Sequence, residues 1–363
     1  MAAEFRTHVL ELPGEAAGQR LDQALAAALP QYSRSRLQHW IRIGAVQLAG
    51  SAARARDRVR GGEWVVIEAQ FEADETVRPE PLPLHIIYQD DELLVLDKPA
   101  GLVVHPGAGN PAHTLQNALL AHDPALARVP RAGLVHRLDK DTSGLLVVAR
   151  TPEAQTQLVA ALAQRLIGRE YLALVWGAPV GGARIDEPIG RNRAQRTRMA
   201  VRSGGREAVT HYRIEERLRA HALLRVQLQT GRTHQIRVHL AHVGLPVVGD
   251  PVYGGRRRLV AIADARVGGR SGTRGSRRSA AGRSPGSAAA TQALNAALQG
   301  FRRQALHAQR LRLAHPRTGR ECRFEAPLPD DFEALLGAMR RDRDEGPCDD
   351  GSGGRGDSGG GAS

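Results

Sequence analysis

The stretch GLVHRLDKDTSGLLVVAR, residues 133–150, determines how the larger part of this chain is expected to fold. Its apolar ends, GLV and GLLVVAR, are typical of strands, and HRLDKDTSG would cross an edge of the sheet between them. Residues 141–144 are good turn formers, which explains the second half of this charged segment. Turn formation gives no reason for His136, Arg137 and Asp139 beside an apolar flank. A carboxylate held there can act as a nucleophile, a base or a charge stabiliser.

The residues around this stretch alternate between helix and strand patterns. Thr114 is expected to cap the helix LQNALLAH, and a second helix is predicted for PEAQTQLVAALAQRL. Because helices and strands mix without regular βαβ alternation, residues 84–338 are predicted to form an α+β domain with a mixed or antiparallel sheet. The other predicted strands are ELLVLD, GLVVH, EYLALVWG, AVTHYRI, ALLRVQLQT and an alternating pair within ALHAQRLRLAHPRTGRECRFEAPLP.

A smaller unit is predicted at residues 20–71. It starts with two short helices, RLDQALAAALP, which Pro30 ends, and SRSRLQHWIRIG, which Ser33 caps. The segments AVQLAG and EWVVIEAQ are then typical of strands. Residues 1–19 are expected to be an N-terminal extension, and the acidic, proline-rich residues 72–83 a linker.

The net charge of +13 is unevenly distributed. Between Arg256 and Arg283 there are nine arginines and one acid, so this segment supplies +8 and the rest of the chain is mildly basic. Residues 256–300 are rich in Gly, Ser and Arg and are expected to form a largely disordered insertion, because they bury little apolar surface. Residues 339–363 are expected to be a flexible tail. Charge alone therefore gives weak support for nucleic-acid binding by the folded domains.

Composition excludes several classes of protein. No apolar run approaches the ~18 residues of a membrane-spanning helix, and MAAEFRTHVLELPGE lacks the basic-then-apolar layout of a signal peptide. The two cysteines, Cys322 and Cys348, provide neither a disulfide framework nor a metal quartet. A soluble, cytoplasmic protein without membrane contact is expected.

The segment HRLDKDTSG resembles the active-site signature of the RluA-type family of pseudouridine synthases. Three further blocks of that family follow its order: DDELLVLDKPAGLVVHPG, REYLALVWG and TGRTHQIRVHLAHVGLPVVGDPVYGG. RLDQAL, SRSRLQHWI and GAVQLAG resemble an S4 RNA-binding domain, with Ala49 where that family often has asparagine. The resemblance runs from about Arg20 to Pro327 apart from the insertion. VHPGAGNP and VPRAGLVHRLDKDTSG most resemble the members that act on large-subunit ribosomal RNA.

This resemblance implies a reaction that needs neither a metal nor a redox cofactor. The bond between N1 of uracil and C1′ of ribose breaks, the base turns, C5 joins C1′, and the C5 proton leaves. Asp139 would be the catalytic carboxylate, which either attacks the ribose or assists loss of its C2′ proton. The implied substrate is large-subunit ribosomal RNA or an assembling ribosomal particle, most specifically the stem-loop at the subunit interface, and the expected state is a monomer.

The resemblance also implies roles for other residues. Arg237 would be the cation beside Asp139, on a short helix that Thr233 is expected to cap. Tyr171 would lie against the target base and help to remove the C5 proton, and Arg137 would fill the space that the flipped uridine vacates. By pattern alone, a solvated helix arginine explains Arg237, and core packing explains Tyr171.

Four residues of the second N-terminal helix would contact RNA in an S4 domain. Positive side chains there would supply a sequence-independent attraction for phosphates. A solvated helix face explains them equally well from the pattern alone. The four residues are Ser33, Arg34, Arg36 and Arg42.

Hydrolysis of a glycosidic bond, dinucleotide binding and zinc binding are each less consistent with the sequence. A glycoside hydrolase needs two carboxylates, but turn formation explains Asp141 better than acid catalysis does. GAGNPA is a weak dinucleotide fingerprint because Pro111 interrupts it and no βαβ unit follows. His234, His239 and His242 lack the spacing and the acidic partner of a zinc helix. The remaining alternatives are action on other ribosomal or transfer RNA uridines, and a non-catalytic RNA-binding or ribosome-assembly factor.

Overall fold

The computed structural model describes residues 4–29, 32, 34–71, 77–107, 109–195, 197–255 and 285–345. These residues form a small N-terminal domain and a larger C-terminal α+β domain. The sequence-predicted fold class is confirmed, while several boundaries differ from the prediction. Among the described residues, no helix is long and apolar enough to cross a membrane.

The N-terminal domain packs two helices against a four-stranded antiparallel sheet of order β1-β4-β2-β3. Alternate residues of β4 divide between the two faces of this sheet, because Val65 and Ile67 are fully buried whereas Trp64 is largely exposed. Leu37 and Trp40 of α2 fill the same core. The elements are β1 (Glu4–Glu11), α1 (Leu21–Ala28), α2 (Arg34–Arg42), β2 (Val46–Leu48), β3 (Ser51–Ala52) and β4 (Trp64–Phe71).

The sequence suggested that residues 1–19 are an extension outside this domain, but the described part, residues 4–19, belongs to it. Strand β1 pairs antiparallel with β4 from Glu4↔Phe71 to Glu11↔Trp64, and Leu12 is buried in the core. The prediction was wrong because a strand whose partner lies some 60 residues away gives no local turn signal.

The C-terminal domain is built on a nine-stranded mixed sheet of order β5-β6-β7-β14-β8-β13-β12-β9, with β15 paired to β14. A two-stranded β10-β11 hairpin stands apart. The strands are β5 (Ile86–Gln89), β6 (Leu93–Lys98), β7 (Ser143–Ala149), β8 (Gly168–Trp176), β9 (Ala183–Asp186), β10 (Ile189–Arg191), β11 (Met199–Val201), β12 (Val209–Arg217), β13 (His221–Leu228), β14 (Leu306–Ala314) and β15 (Glu321–Glu325). The helices are α3 (Leu115–His122), α4 (Pro152–Ala163), α5 (Gln235–His242), α6 (Pro285–Gly300) and α7 (Asp330–Glu345).

Strands β6 and β7 read as continuous apolar runs because both of their faces are buried. Leu146 and Val148 of β7 belong to the core that includes α3, while Leu145 and Val147 belong to a second core with Leu158 of α4. Thr114 caps α3 as expected, and its side chain and that of Asn117 form a reciprocal capping box.

Two expectations for this domain were wrong. The segments GLV and GLVVH form no strands but contribute single bridges, Leu134↔Val148 and Val103↔Thr114. The loop at residues 136–142 precedes β7, which lies inside the sheet with β6 and β14 as neighbours, so the loop does not cross a sheet edge. In the described part of the predicted linker, residues 77–83, the Arg78 carbonyl accepts from Asn117 Nδ2 of α3.

Parts of the expected insertion and tail are helical. The last 16 residues of the insertion form α6, which packs against α7. Helix α7 continues through Glu345, and its Asp342, only 1% exposed, accepts hydrogen bonds from Arg219 and Thr291. The remaining parts of these two predictions, residues 256–284 and 346–363, lie outside the described residues.

Candidate active site

Two glycines fix the path of the charged loop at residues 136–142. Gly133 has φ +77°, and a Cβ there would lie 1.8 Å from the Ala149 carbonyl oxygen. Gly144 has φ +112°, and a Cβ there would lie 2.3 Å from the Ala308 carbonyl oxygen. Because no side chain fits at either point, the loop enters and leaves between backbones that pack directly together.

The residue after Asp139 is held by a buried lysine. Lys98 Nζ donates to the carbonyls of Pro99 (2.7 Å), Leu102 (3.0 Å) and Lys140 (3.0 Å), and Gly101 N also donates to Lys140 O at 2.9 Å. Lys98 is 1% exposed, and burial lowers the pKa of its ammonium to about 8 against the opposite effect of Asp141 and Asp139. The position of Asp139 thus depends on a lysine that sequence analysis did not single out.

The other side of the loop is held by the C-terminal part of the chain. Strand β14 pairs parallel with the start of β7 at His307↔Ser143 and Ala308↔Gly144. Gln304 Nε2 donates to Thr142 Oγ1 at 3.0 Å. His136, which turn formation left unexplained, is also structural in part, since its Nε2 accepts from Val147 N at 3.2 Å.

Asp139 and Arg237 meet as the resemblance implied. Arg237 Nη1 donates to Asp139 Oδ2 at 2.9 Å, while its Nε and Nη2 donate to the two carboxylate oxygens of Asp250 at 2.7 and 2.9 Å. The Asp139 side chain is 18% exposed, whereas those of Arg237 and Asp250 are 5% and 0% exposed. Arg237 is therefore a fixed cation that leaves one face of the Asp139 carboxylate open.

Asp250 was missed by sequence analysis and anchors this pair. Its Oδ1 also accepts from Val252 N at 2.8 Å and Tyr253 N at 2.9 Å. Burial alone would raise the pKa of Asp250, but the hydrogen bonds from Arg237 outweigh it and the pKa is lowered. The pKa of Arg237 is raised, because its two carboxylate partners outweigh burial. The only sequence signal was an acid in the turn GDPVYGG, which is also a common turn composition.

The start of α5 differs from the expectation that Thr233 caps it. The N-cap is His234, in the left-handed conformation with φ +57° and without a side-chain cap. Gln235 Oε1 instead accepts from Arg232 N at 2.9 Å, and Gln235 Nε2 donates to Val209 O at 3.0 Å. A strained backbone at His234 directs its ring into the site, since a non-glycine residue adopts this conformation only where its surroundings enforce it.

His234 has a defined hydrogen-bonding role rather than a packing role. Tyr253 Oη accepts from Met199 N at 2.9 Å and lies 2.9 Å from His234 Nδ1. Burial lowers the pKa of His234, so the ring is neutral at neutral pH. The other ring nitrogen, Nε2, lies 3.9 Å from Asp139 Oδ1.

Tyr171 lies on β8 and lines the same cavity as Asp139. It is 5% exposed, and burial raises the pKa of its phenol. The hydroxyl is therefore protonated at neutral pH in the empty cavity, so Tyr171 meets an incoming base as a phenol.

The cavity has a volume of about 470 Å³ and a strongly positive wall. Among its lining residues Asp139 is the single acid, surrounded by six arginines. Four of these are exposed or half-buried at the rim, whereas Arg169 and Arg237 are buried. The six are Arg131, Arg137, Arg165, Arg169, Arg232 and Arg237. A cavity of this kind admits one flat polar group deep inside and phosphates at its rim.

Comparisons with known proteins assign both domains to known families. A family model described as RNA pseudouridylate synthase matches residues 92–242, and an S4 domain model matches residues 19–65. The ribosomal large subunit pseudouridine synthase D of Xanthomonas campestris is 51% identical over 91% of this chain and 92% of its own. The chain belongs to the RNA pseudouridine synthase family.

Two further proteins extend the comparison. The ribosomal large subunit pseudouridine synthase D of Escherichia coli K12 is 48% identical over 90% of this chain and 93% of its own. A solved structure, human RNA pseudouridylate synthase domain containing 4, is 26% identical and covers 70% of this chain and 93% of its own with a TM-score of 0.50. The family assignment thus covers both domains of the synthase.

The S4 domain of the synthase presents its arginines around a buried carboxylate. Asp22, 0% exposed, accepts from Arg20 Nε (3.0 Å), from Arg34 Nη2 (2.7 Å) and from Gln38 Nε2 (2.5 Å). These hydrogen bonds hold the pKa of Asp22 well below its usual range against the effect of burial. The Arg34 side chain remains 45% exposed, so it is anchored and accessible at once.

The other RNA contacts expected on α2 are only partly described. Arg36 is half-buried and Arg42 is exposed near the end of the helix, whereas Ser33 lies outside the described residues. The turn after β2 forms although Ala49 replaces the asparagine common in S4 domains: Ala49 and Gly50 have φ +49° and +73°. These are the left-handed pair that a two-residue hairpin turn requires.

His239, which could have suggested a metal site in the synthase, belongs to the core. It is fully buried, and its ring nitrogens contact Thr210 Oγ1 and Glu187 O, each at 2.9 Å. No group of three metal-binding side chains occurs within the part of the chain that the structure describes.

Proposed function

We propose that this synthase converts selected uridines of large-subunit ribosomal RNA to pseudouridine, with Asp139 as the catalytic carboxylate. The observation that carries the proposal is the Asp139 carboxylate in an arginine-lined cavity, bound on one side by Arg237 and open on the other. Relatives at 48% and 51% identity bear the name ribosomal large subunit pseudouridine synthase D, which supports the choice of substrate.

Arg237 orients Asp139 and supplies a fixed positive charge beside it. The guanidinium cannot turn away, because Asp250 binds its Nε and Nη2. The free oxygen of Asp139 can then either attack C1′ or remove the C2′ proton.

Tyr171 and Arg137 act on the flipped nucleotide. Tyr171 packs against the target base as a phenol, and it can help to remove the C5 proton only by passing on its own. Arg137 lies two residues before Asp139 and is exposed at the rim, where it can enter the space that the uridine leaves in the RNA.

The S4 domain holds the RNA through Arg34, Arg36 and Arg42 of α2, and Ser33 is included in this proposed set. Phosphate contacts of this kind add affinity without reading sequence. The proposed target is the stem-loop at the subunit interface, in free RNA or in an assembling particle. The enzyme would act as a monomer in the cytoplasm, without a cofactor.

Mapping pseudouridines in ribosomal RNA tests this proposal. Cells that lack the protein are complemented with the wild type or with Asp139→Asn, whose folding and RNA affinity are checked separately. We expect the interface stem-loop to lose its pseudouridines, and only the wild type to restore them. Modification of those sites in every strain would overturn the target, and restoration by Asp139→Asn would overturn the role of Asp139. Release of free uracil in vitro would indicate a hydrolase instead.

A further inference from the structure

The cavity contains a second buried arginine, Arg169, and unlike Arg237 it has no carboxylate partner among the residues that the structure describes. Arg169 is 9% exposed and lines the cavity, and its Nε is buried without a hydrogen-bond partner among the described residues. A buried cation without a counter-charge is costly, so an enzyme retains one where a ligand supplies the missing acceptor.

Strand alternation places Arg169 with the reacting base. Arg169 and Tyr171 are two residues apart on β8 and point to the same face, while Glu170 between them points away to Gln227. Gly231 covers the guanidinium so closely that a Cβ there would lie 2.9 Å from Arg169 Nη1. Burial raises the pKa of Tyr171, and the positive charge of Arg169 opposes part of that rise. Burial lowers the pKa of His136, and the charge of Arg169 adds to that fall.

The depth of Arg169 favours the base over a phosphate as its ligand. The rim arginines Arg131, Arg137 and Arg165 are exposed and meet the backbone of an incoming RNA first. A flipped uracil reaches deeper than its phosphates, and its two carbonyl oxygens are acceptors for a planar guanidinium.

The reaction creates a negative charge that can serve as the missing counter-charge of Arg169. When the bond between N1 and C1′ breaks, its electron pair stays on N1 and is shared with the two carbonyl oxygens of uracil. C1′ becomes bonded to an Asp139 oxygen or, after loss of the C2′ proton, joins C2′ in a double bond. Both routes release the same uracil anion. When C5 bonds to C1′, either the bond between C1′ and Asp139 breaks or the proton returns to C2′, so the Asp139 carboxylate is regenerated and the base becomes neutral. Loss of the C5 proton and protonation of N1 then give pseudouridine.

We propose that Arg169 binds a carbonyl oxygen of the flipped uracil and stabilises the uracil anion formed when the glycosidic bond breaks. The inference rests on the proposed function of Asp139 and adds the group that receives the leaving base. Positioned donors aimed at developing charge are among the largest contributors to enzymatic rate.

The test compares full-length Arg169→Met and Arg169→Lys with the wild type on a stem-loop RNA under single-turnover conditions. Arg169→Met is expected to lower the rate at saturating RNA about 100-fold and to change RNA affinity less than about twofold. Arg169→Lys keeps the positive charge but not the planar guanidinium, so its rate should lie between those of the wild type and Arg169→Met. Arg310→Met is the matched control, since Arg310 is an exposed arginine of β14 paired with Glu325 outside the cavity.

Two readouts separate this role from a structural one. Because Met removes a buried, unpartnered charge, Arg169→Met is expected to melt at the wild-type temperature or above it. In Arg169→Ala, added guanidinium ion should restore part of the rate, whereas sodium chloride at equal ionic strength should not. Lower thermal stability with no rescue would mean that Arg169 is structural.

Other outcomes identify which proposal fails. An unchanged rate in Arg169→Met overturns the inference. Loss of affinity with an unchanged saturated rate, and a salt dependence reduced by about one phosphate contact, would show that Arg169 binds a phosphate. Full activity of Asp139→Asn in the same assay would instead remove the proposed function, whatever the Arg169 variants do.

Discussion

The two domains of the synthase use the same device for different ends. In each, a fully buried aspartate binds arginines: Asp22 holds Arg20 and Arg34, and Asp250 holds Arg237. The Arg20 and Arg34 side chains remain 34% and 45% exposed, whereas that of Arg237 is 5% exposed and uses its remaining donor on Asp139. An anchored arginine therefore stays accessible at the surface of the S4 domain, whereas inside the cavity it holds the Asp139 carboxylate.

The largest effect is expected for Asp250→Asn, which weakens the anchor of Arg237 in the cavity. The amide offers one acceptor oxygen where the carboxylate offers two, so Arg237 loses part of its anchor and its charge is less balanced. We expect a fall in the single-turnover rate of about 100-fold with RNA affinity within about twofold of wild type. Rapid-mixing measurements at saturating RNA test this, and an equal loss of affinity would contradict a purely internal role for Asp250.

Lys98→Met tests the second anchor of Asp139 and carries a pH signature. The ammonium has three hydrogens for three carbonyls and the neutral amine has two, so activity should fall as pH rises through the Lys98 pKa of about 8. We expect the variant to be about tenfold slower at pH 7 and to lack this alkaline decline. All other titratable groups, including those of the substrate, are the same in Lys98→Met and in the wild type. An identical alkaline decline in both proteins would therefore exclude Lys98 as its cause.

Asp22→Asn tests the surface half of the comparison. Loss of the negative charge alone would strengthen binding to any RNA, whereas loss of the common anchor frees Arg20 and Arg34 to reorient. We expect the ratio of affinities for target and unrelated stem-loops to fall about fivefold, with the saturated rate retained. Competition binding at two salt concentrations measures this ratio. A slower saturated rate would show that the domains do not divide affinity and catalysis in this way.

Ala49→Asn is expected to have the smallest effect and concerns the turn between β2 and β3 of the S4 domain. Asparagine tolerates the left-handed conformation better than alanine does, so the variant should stabilise the S4 domain by about 0.5–1 kcal/mol. Thermal unfolding measures the change, and catalysis should remain as in wild type. A loss of stability would show that Ala49 makes a favourable contact that outweighs its strain.

Sequence analysis identified the residues that the cavity brings together better than the residues that support them. Asp139, Arg237 and Tyr171 lie in blocks whose order resembles a known family, and the structure places all three in one cavity. Asp250 and Lys98 act through long-range contacts, and an acid in a turn or a lysine at the end of a strand has no periodic pattern that reveals such partners.

The errors in the predicted fold have a similar physical origin. Residues 285–300 are rich in alanine and follow a Gly/Ser/Arg-rich segment, so they resembled disorder, yet Leu294 and Leu298 are buried in a helix against α7. Strand β1 was missed because its partner β4 is distant in sequence. Local patterns predict an element where its own residues suffice to define it, and they fail where a remote partner supplies the burial.

The parallel pairing of β14 with β7 sets an order of events during synthesis of the chain. Every residue described in the S4 domain precedes residue 72, so that domain can fold before the rest of the chain is synthesised. The loop bearing Asp139 is closed only when His307 and Ala308 reach Ser143 and Gly144. Limited proteolysis of ribosome-bound chains should show protection of the first domain well before that of the loop. The S4 domain is therefore complete more than two hundred residues of translation before the loop that bears Asp139 can close.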